Sequence, residues 1–365
     1  MNILYLADAH SSHTKKFVDY FLGKGHEVSV FSLSSGEIDG ARVQSLNIKN
    51  ESGLSSFKKF FLYYSKIGKL KKFINEVKPD IVHAHYASSY GMLARLSGKK
   101  YILSVWGSDV YDFPNENILK KHLIKKNLNK ASVILSTSKD MKLEAKKFTD
   151  KEIIVTPFGV DINEYRPMEV ERISDFTVGT IKAFYKKYGF DYLIEGYKGF
   201  LEETGADSKL ILAGKGPDFD EIVKKVLDLG IKDKVIFPGF INKEEVIKTF
   251  NQMDVAVFPS VLDSESFGVA AVEAGACGVC QIVSNVGGLP EATNPGVSSI
   301  LVPKENSNAI REALVKLYKD RSLLEKMSTE ARKYVEDNYN IEDNFAVIEK
   351  IYNNFNKFQN KKELD

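Results

Sequence analysis

Residues 176–214 of the chain read FTVGTIKAFYKKYGFDYLIEGYKGFLEETGADSKLILAG. Two short apolar runs, at 176–179 and 209–213, stand on either side of a longer segment with helical periodicity. Short apolar runs that alternate with helical segments are typical of parallel sheets covered by helices. The stretch therefore predicts two parallel strands joined by a helix.

The same alternation extends over the whole chain. Strands are predicted at 3–7, 27–31, 80–84, 101–105 and 132–136 in the first half, and at 234–237, 255–259, 281–284 and 299–302 later in the second half. The fold class is therefore α/β, with two Rossmann-like doubly wound domains. Ligands bind at the carboxyl ends of parallel strands, so two such sheets facing each other would form a cleft.

A length of 365 residues suits two domains that each bury their own core. The segment PFGVD at 157–161, with Arg166-Pro167 after it, has the turn chemistry of a linker. We predict a first domain at 1–165 and a second at 166–340. The last helix, 341–365, is expected to cross back to the first domain.

A net charge of +2 conceals an asymmetry between the halves. Residues 1–165 hold 25 Lys and Arg against 17 Asp and Glu, a net charge of +8, and the remainder has a net charge of −6. Lysines lie beside aromatic residues in KKFFLYY at 58–64. Such a segment either holds a protein to anionic lipid or forms a solvated helix face with its aromatic residues in the core.

The segment NILYLA at 2–7 reads as a buried strand rather than a signal peptide, and no uncharged run reaches the roughly 18 residues of a membrane span. We therefore expect a cytoplasmic protein without a nucleic-acid partner, at the inner face of the membrane if the basic segment binds lipid. Cys277 and Cys280 supply only half of a four-ligand zinc site, so we interpret both as small core residues.

The most specific pattern is ESFGVAAVE at 265–273, which follows FPS at 258–260. If a helix starts near Phe267, Glu265 lies in the preceding loop and Glu273 about two turns along, at about 1.5 Å per residue. Unpaired N–H groups at the helix start can bind a phosphate. The two carboxylates would then bind sugar and ribose hydroxyls. Alternatively, Glu265 supports the helix start and Glu273 faces solvent.

This pattern resembles the EX7E motif of glycosyltransferase family 4, whose members are retaining enzymes with the two-domain GT-B fold. The resemblance is densest over 150–303, where the matching segments are PFGVD at 157–161, LAGKGP at 212–217, FPGF at 237–240 and GGLPE at 287–291. The first half is similar through its strand order, DIVHAH at 80–85 and WGSD at 106–109.

The resemblance implies which residues hold the donor. They are Glu273, Ser266, Phe267, Gly268, Gly239, Phe240, Ile241 and Gly179. Glu273 would bind the ribose, the amides of residues 266–268 would face sugar and phosphate, and residues 239–241 would lie near the nucleobase. Glu265 would contact the transferred sugar.

Family members stabilise the leaving phosphate with a basic pair in the first loop of the second domain. We predict that Lys182 and Lys187 form this pair and that Lys186 lies outside it. The loop departs from the commoner form of the family, because no arginine stands near its start. A lysine supplies a point charge without the two-pronged geometry of arginine. The alternatives are a different pair of lysines or a solvated basic loop.

In the first domain, Trp106 occupies a turn where many family members carry a histidine. We predict that Asp109 and His85 orient the acceptor or the sugar, although a histidine at the end of a strand is also a common structural residue. His10, His13 and His83 are the other candidates.

A cofactor and a metal are both disfavoured by the sequence. The turn DAHSSHT at 8–14 lacks the glycines of a dinucleotide fingerprint, which disfavours an NAD enzyme. Asp218 and Asp220 are interpreted as the start of a helix rather than as metal ligands. We therefore expect no cofactor and no essential metal.

The function implied by the resemblance is transfer of a hexosyl or N-acetylhexosaminyl group with retention. The donor would be a nucleotide diphosphate sugar, by default a UDP-sugar, bound by 166–340. The acceptor, bound by 1–165, would be a glycan, glycolipid or small molecule, such as one used in polysaccharide synthesis. The alternatives are a sugar-nucleotide epimerase or hydrolase of the same fold and a non-catalytic sugar-nucleotide-binding protein.

Overall fold

The computed structural model describes residues 1–48 and 56–355, with the side chains of 56 and 57 left out. The chain divides into unit 1, Met1–Pro157 with the segment that begins at Phe345, and unit 2, Phe158–Asn344. The first boundary lies before the one predicted at residue 165. Phe158 belongs to unit 2 because its ring packs on Phe267, with centroids 6.0 Å apart. Arg332 similarly donates hydrogen bonds to the carbonyl groups of Ile162 and Tyr165.

The sheet of unit 1 consists of parallel strands covered by helices. The strands are β1 (Asn2–Leu6), β2 (Glu27–Ser32), β3 (Arg42–Ser45), β4 (Ile81–His85), β5 (Ile102–Val105), β6 (Val133–Ser136) and β7 (Ile153–Val155). Their order in the sheet is β3-β2-β1-β4-β5-β6-β7. The helices are α1 (Ser12–Gly23), α2 (Ser56–Tyr64), α3 (Ile67–Val77), α4 (Ser89–Ser97), α5 (Ser108–Tyr111), α6 (Ile118–Lys130) and α7 (Lys139–Lys146).

Two strands of this sheet escape sequence-based prediction. β3 has the sequence RVQS, with a single apolar residue, and among the described strands it lies at the edge of the sheet. β7 has only three residues, IIV, and forms the other edge. Edge strands need less burial than central strands, so their sequences carry a weaker apolar signal.

Unit 2 contains a second parallel sheet. Its strands are β8 (Phe176–Ile181), β9 (Ser208–Ala213), β10 (Val235–Gly239), β11 (Val255–Phe258), β12 (Cys280–Ser284) and β13 (Ser299–Val302), in the order β10-β9-β8-β11-β12-β13. Its helices are α8 (Phe190–Thr204), α9 (Phe219–Asp228), α10 (Lys243–Asn251), α11 (Val269–Ala276), α12 (Leu289–Thr293), α13 (Ser307–Lys319) and α14 (Arg321–Tyr339). This strand order is that of a doubly wound Rossmann-like fold, which confirms the predicted fold class.

The chain continues into α15 (Ile341–Asn353), whose apolar side chains join the core of unit 1. Phe345 packs on Phe17 with ring centroids 4.6 Å apart. The hydroxyl of Tyr352 lies 2.6 Å from Nδ1 of His83. The segment from Phe345 is therefore an integral part of unit 1.

Cys277 and Cys280 are buried free thiols. Burial raises the pKa of each thiol to about 12, so both stay protonated near neutral pH. Within the described ranges, no group of three or more His, Cys, Asp or Glu residues is arranged to hold a metal ion. The same ranges contain no helix with the length and apolar character that crossing a bilayer requires.

Candidate active site

The basic loop of unit 2 begins where β8 ends. The amide of Lys182 donates to the carbonyl of Ala213, which ends β9, over 3.0 Å. Gly214 approaches this loop so closely that a Cβ atom there would lie 1.9 Å from the carbonyl oxygen of Lys182. Neighbouring strand ends therefore fix the backbone from which the Lys182 side chain projects.

Lys182 forms an ion pair with Glu265. Its Nζ lies 3.0 and 2.9 Å from the two carboxylate oxygens, and the side chains of Lys182 and Glu265 are only 14% and 10% exposed. The hydroxyl of Ser260 donates to Oε2 of Glu265 over 3.2 Å. A pair that is largely removed from water and hydrogen-bonded at both oxygens has a fixed orientation.

Tyr188 brings a second lysine to the same place. The Nζ atoms of Lys182 and Lys187 lie 4.5 and 5.0 Å from the centroid of the Tyr188 ring, within the range of cation–π attraction. Lys186 is instead exposed and forms an ion pair with Glu221 over 2.8 Å. The structure thus groups Lys182 with Lys187 around one ring and directs Lys186 elsewhere.

The loop before α11 lies beside this lysine pair. A cavity of about 140 Å³ is lined by Lys187, Tyr188, Leu262, Ser264, Glu265 and Ser266. The helix starts at Val269 rather than near Phe267, because Gly268 precedes it with a left-handed φ of 83°. Within the described residues, no backbone hydrogen bond has the N–H of Phe267, Gly268 or Val269 as its donor. Two ammonium groups and a helix N-terminus therefore make this region attractive to an anion.

Gly287 and Gly288 pack closely against the loop that carries Glu265 and Ser266. The amide of Gly288 donates to the carbonyl of Glu265 over 2.9 Å. A Cβ atom at Gly287 would lie 2.3 Å from the carbonyl oxygen of Glu265, and one at Gly288 would lie 2.4 Å from that of Ser266. Only glycine permits so close a contact, so the turn GGLPE determines where Glu265 and Ser266 lie.

Glu273 is the fifth residue of α11 and is half-buried, so it does not simply face solvent. The hydroxyl of Tyr165 forms a hydrogen bond with its carboxylate. Burial raises the pKa of Tyr165, and the charge and hydrogen bond of Glu273 raise it further. Glu273 therefore has an internal neighbour here, and its contact with ribose stays a prediction.

The segment predicted to lie near the nucleobase follows β10. Gly239 ends this strand with a left-handed φ of 80°, and its carbonyl accepts a hydrogen bond from the amide of Gly214 over 2.8 Å. Phe240 is 70% exposed, and Nζ of Lys215 lies 5.3 Å from the centroid of its ring. Ile241 is half-buried. An exposed aromatic face at a strand end is suited to stacking with a planar base.

Asp109 in unit 1 is completely buried. Its carboxylate accepts hydrogen bonds from the amides of Ala87, Trp106 and Gly107 over 2.6, 3.1 and 2.8 Å. Burial raises the pKa of Asp109, and these hydrogen bonds oppose that effect. Asp109 therefore joins the loops after β4 and β5, and its predicted role in orienting the acceptor or the sugar stays a prediction.

His85 ends β4 and is only 1% exposed. Its ring packs against Phe17 and Trp106, with centroids 4.6 and 4.4 Å apart. Neither ring nitrogen has a hydrogen-bond partner among the described residues. Burial, followed by the nearby His83 and His13, lowers the pKa of His85 well below its ordinary value, so the ring is neutral.

Sequence reasoning missed Ser260 and Tyr188 as parts of the site. Ser260 lies two residues after the end of β11. The carboxyl end of a strand is the usual place for a ligand-binding residue in a parallel sheet. No sequence pattern indicated Tyr188. It belongs to the site because the fold brings the ammonium groups of Lys182 and Lys187 to its ring.

Comparison with known proteins gives the family. The model of the glycosyl transferases group 1 matches residues 161–334, and the model of the glycosyl transferase 4-like proteins matches residues 2–138. The chain is 26% identical to the N-acetyl-alpha-D-glucosaminyl L-malate synthase of Bacillus anthracis over 289 residues, which cover 75% of this chain and 74% of the relative.

Solved structures share the fold. The sucrose-phosphate synthase of Thermosynechococcus elongatus superposes with a TM-score of 0.84 at 18% identity, covering 97% of this chain and 98% of that one. Anabaena HepE in complex with UDP gives a TM-score of 0.79 at 16% identity, covering 96% and 99% of the two chains, and HepE is also known in complex with UDP-glucose. The two matching models together span most of both units, and the chain therefore belongs to the group 1, family 4-type glycosyltransferases with the GT-B fold.

Proposed function

We propose that this glycosyltransferase transfers a hexosyl or N-acetylhexosaminyl group from a UDP-sugar to a glycan, glycolipid or small acceptor, with retention of configuration. The observation that carries the proposal is the largely buried ion pair of Lys182 and Glu265 beside the start of α11, where the amides of Phe267 and Gly268 have no backbone acceptor among the residues that the structure describes. The UDP and UDP-glucose held by HepE support the choice of donor.

The diphosphate of the donor is bound at the start of α11, beside the lysine pair. The amides of Phe267, Gly268 and Val269 donate to one phosphate, where the helix dipole adds to their attraction. Lys187 and the third N–H of Lys182, which Glu265 leaves unused, donate to the other phosphate. The cost of burying the phosphate charges is then offset by groups that are already in place.

The sugar and the nucleoside extend to either side of the diphosphate. Glu265 accepts a hydrogen bond from a sugar hydroxyl at Oε1, which accepts only from Lys182 and so keeps a further lone pair, whereas Oε2 already accepts from both Lys182 and Ser260. Glu273 binds the ribose after its hydrogen bond with Tyr165 rearranges. The base stacks on the exposed face of Phe240.

Transfer then proceeds on one face of the sugar. The bond between C1 and the β-phosphate oxygen breaks to give an oxocarbenium-like transition state, while the acceptor hydroxyl forms the new bond to C1 from the same face. Its proton passes to the departing phosphate oxygen. Lys182 and Lys187 stabilise the negative charge that develops on this phosphate, and Glu265 stabilises the positive charge on the sugar ring.

We expect UDP to stabilise the protein more than GDP or ADP. A ligand that binds only the folded state adds about 2.7 kcal/mol at a hundred times its Kd, which a thermal-shift assay detects as a higher Tm. The three nucleotides are compared with and without EDTA, since the proposed site uses ammonium and amide groups. A larger shift for GDP or ADP would overturn the choice of base, and loss of the UDP shift with EDTA would overturn metal independence.

The anomeric configuration of the product tests the reaction itself. With a radiolabelled UDP-α-sugar and a membrane extract as the source of acceptor, we expect label on an acceptor, and proton NMR of the isolated product should show an α-linkage. A β-linkage would contradict retention. Free sugar or an epimer as the main product would favour the epimerase or hydrolase alternative, and binding without turnover would favour a non-catalytic protein.

A further inference from the structure

We propose that unit 1 binds to bilayers that contain anionic lipids through a basic aromatic surface, defined as the exposed residues of α2 and α3. Ser56–Val77 contains six lysines, of which Lys58, Lys69, Lys71 and Lys72 are exposed on α2 and α3, and one acidic residue, Glu76. That glutamate pairs with Arg42 over 2.5 Å, so it does not neutralise the lysines. The surface therefore has a dense positive charge that complements the charge of anionic headgroups.

The aromatic residues of α2 make this surface more than a charged helix face. Phe60, Phe61 and Tyr64 are 39%, 54% and 56% exposed. Phe60 and Tyr64 are stacked with ring centroids 6.3 Å apart, which holds them on one side of the helix. Only Tyr63 of the four aromatic residues at 60–64 is buried in the core. The reading of this segment as a solvated face with its aromatic residues in the core is therefore wrong for the other three.

The inner face of α3 packs in the hydrophobic core of unit 1. A small rotation of this helix therefore could not bury its exposed residues without exposing core residues. Leu70, Phe73, Ile74 and Val77 of α3 lie in the hydrophobic core of unit 1. Lys69, Lys71 and Lys72 are consequently exposed on the opposite side. Aromatic rings next to lysines that point to water are the composition of helices that lie in a membrane interface.

The first turn of α6 carries a further pair of exposed apolar residues of unit 1. Ile118 and Leu119 are 75% and 77% exposed, and α6 contains five lysines and no acidic residue. Helix α4 contacts both α2 and α6, so the three helices form one layer over the sheet. Insertion of apolar side chains, together with attraction by lysines, is the two-component binding that stable membrane attachment requires.

Sedimentation with lipid vesicles tests the proposal. The whole protein is mixed with vesicles of phosphatidylcholine alone or with phosphatidylglycerol added, at low and high salt. We expect binding to the anionic vesicles, weakening in high salt because the surface charges become screened. Equal binding to the neutral vesicles, or no binding to either, would overturn the proposal.

Three test variants and two control variants locate the surface. Because each lysine near an anionic membrane is worth about fivefold in binding, K69Q/K71Q/K72Q should weaken binding about a hundredfold. F60S/F61S/Y64S should also weaken it, and I118S/L119S should do so to a smaller degree. The matched controls are both in unit 2. K316Q/K326Q/K333Q removes three exposed lysines, and L227S removes one exposed apolar side chain.

Folding and self-association are measured on the same samples. Each variant should keep the Tm and the UDP-induced shift of the parent, because none of the changed residues belongs to the proposed active site. If the α2 and α3 variants bind vesicles as well as the controls do, the proposal fails. It also fails if these variants dissociate a dimer in light scattering while vesicle binding is unchanged, because the surface would then join two copies of the chain.

Discussion

Replacing Lys182 with methionine should lower the rate of sugar transfer by about 10²–10³-fold, the cost of removing one preorganised donor from a developing negative charge. The change removes an ammonium group beside the leaving phosphate. It also deprives Glu265 of its ion-pair partner in a place that is only 10% exposed. We expect the loss mainly in kcat at saturating donor, since the phosphate charge grows as the bond to the sugar breaks.

Lys186 provides a matched control from the same loop. It is exposed and pairs with Glu221, away from Tyr188. Lys186→Met should therefore change kcat by no more than about twofold, as surface ion pairs contribute little. If Lys186→Met lowered kcat as much as Lys182→Met does, the loop would act only through its overall charge.

A double-mutant cycle separates the catalytic role from the loss of the ion pair. Glu265→Gln alone should also lower kcat strongly, because the neutral amide stabilises an oxocarbenium-like sugar less well. Combining it with Lys182→Met should cost much less than the product of the two single effects, since residues in one hydrogen-bonded pair are not independent. Strictly multiplicative effects would contradict a functional pair.

Replacing Gly287 with alanine should displace the loop that carries Glu265 and nearly abolish transfer, with a loss of about 10² or more. The new Cβ would lie 2.3 Å from the carbonyl oxygen of Glu265, and residue 287 has a left-handed φ of 48°. Overpacking of this kind costs about 1–3 kcal/mol, and a misplacement of about 1 Å is enough for a hundredfold loss of rate. The measurements are kcat, the Kd of UDP and Tm.

Gly296 allows the two causes to be distinguished. It also has a left-handed φ, 83°, but a Cβ atom there would have no neighbour within 4 Å. Gly296→Ala should therefore lower Tm through backbone strain alone and leave kcat and the Kd of UDP unchanged. If both variants lost activity to the same degree, strain rather than the position of Glu265 would explain the result.

Much of the fold could be predicted from the sequence because the central strands are buried on both faces. All the strands of unit 2 coincide with apolar runs such as 255–259, and the pattern needs no tertiary information. The edge strands β3 and β7 could not be found in this way, because one is polar and the other has three residues. The domain boundary depended on tertiary contacts of Phe158 and Arg332, which no local pattern reports.

Residues of the proposed site could be singled out in the sequence, but their arrangement could not be predicted. The motif at 265–273 and the lysines of the first loop stand out in the sequence, whereas the pairing of Lys182 with Glu265 joins residues far apart in the chain. Asp109 shows the limit of motif reasoning. The family resemblance of its turn suggested that it orients the acceptor or the sugar, but no local pattern indicated that its carboxylate accepts hydrogen bonds from three backbone amides.

A crystal structure of the protein with a bound UDP-sugar tests the central claim most directly. We predict a diphosphate within hydrogen-bonding distance of the amides of Phe267 and Gly268 and of Nζ of Lys182 and Lys187, with a sugar hydroxyl on the carboxylate of Glu265. Electron density for the nucleotide sugar at any place remote from the start of α11 would contradict the proposed function.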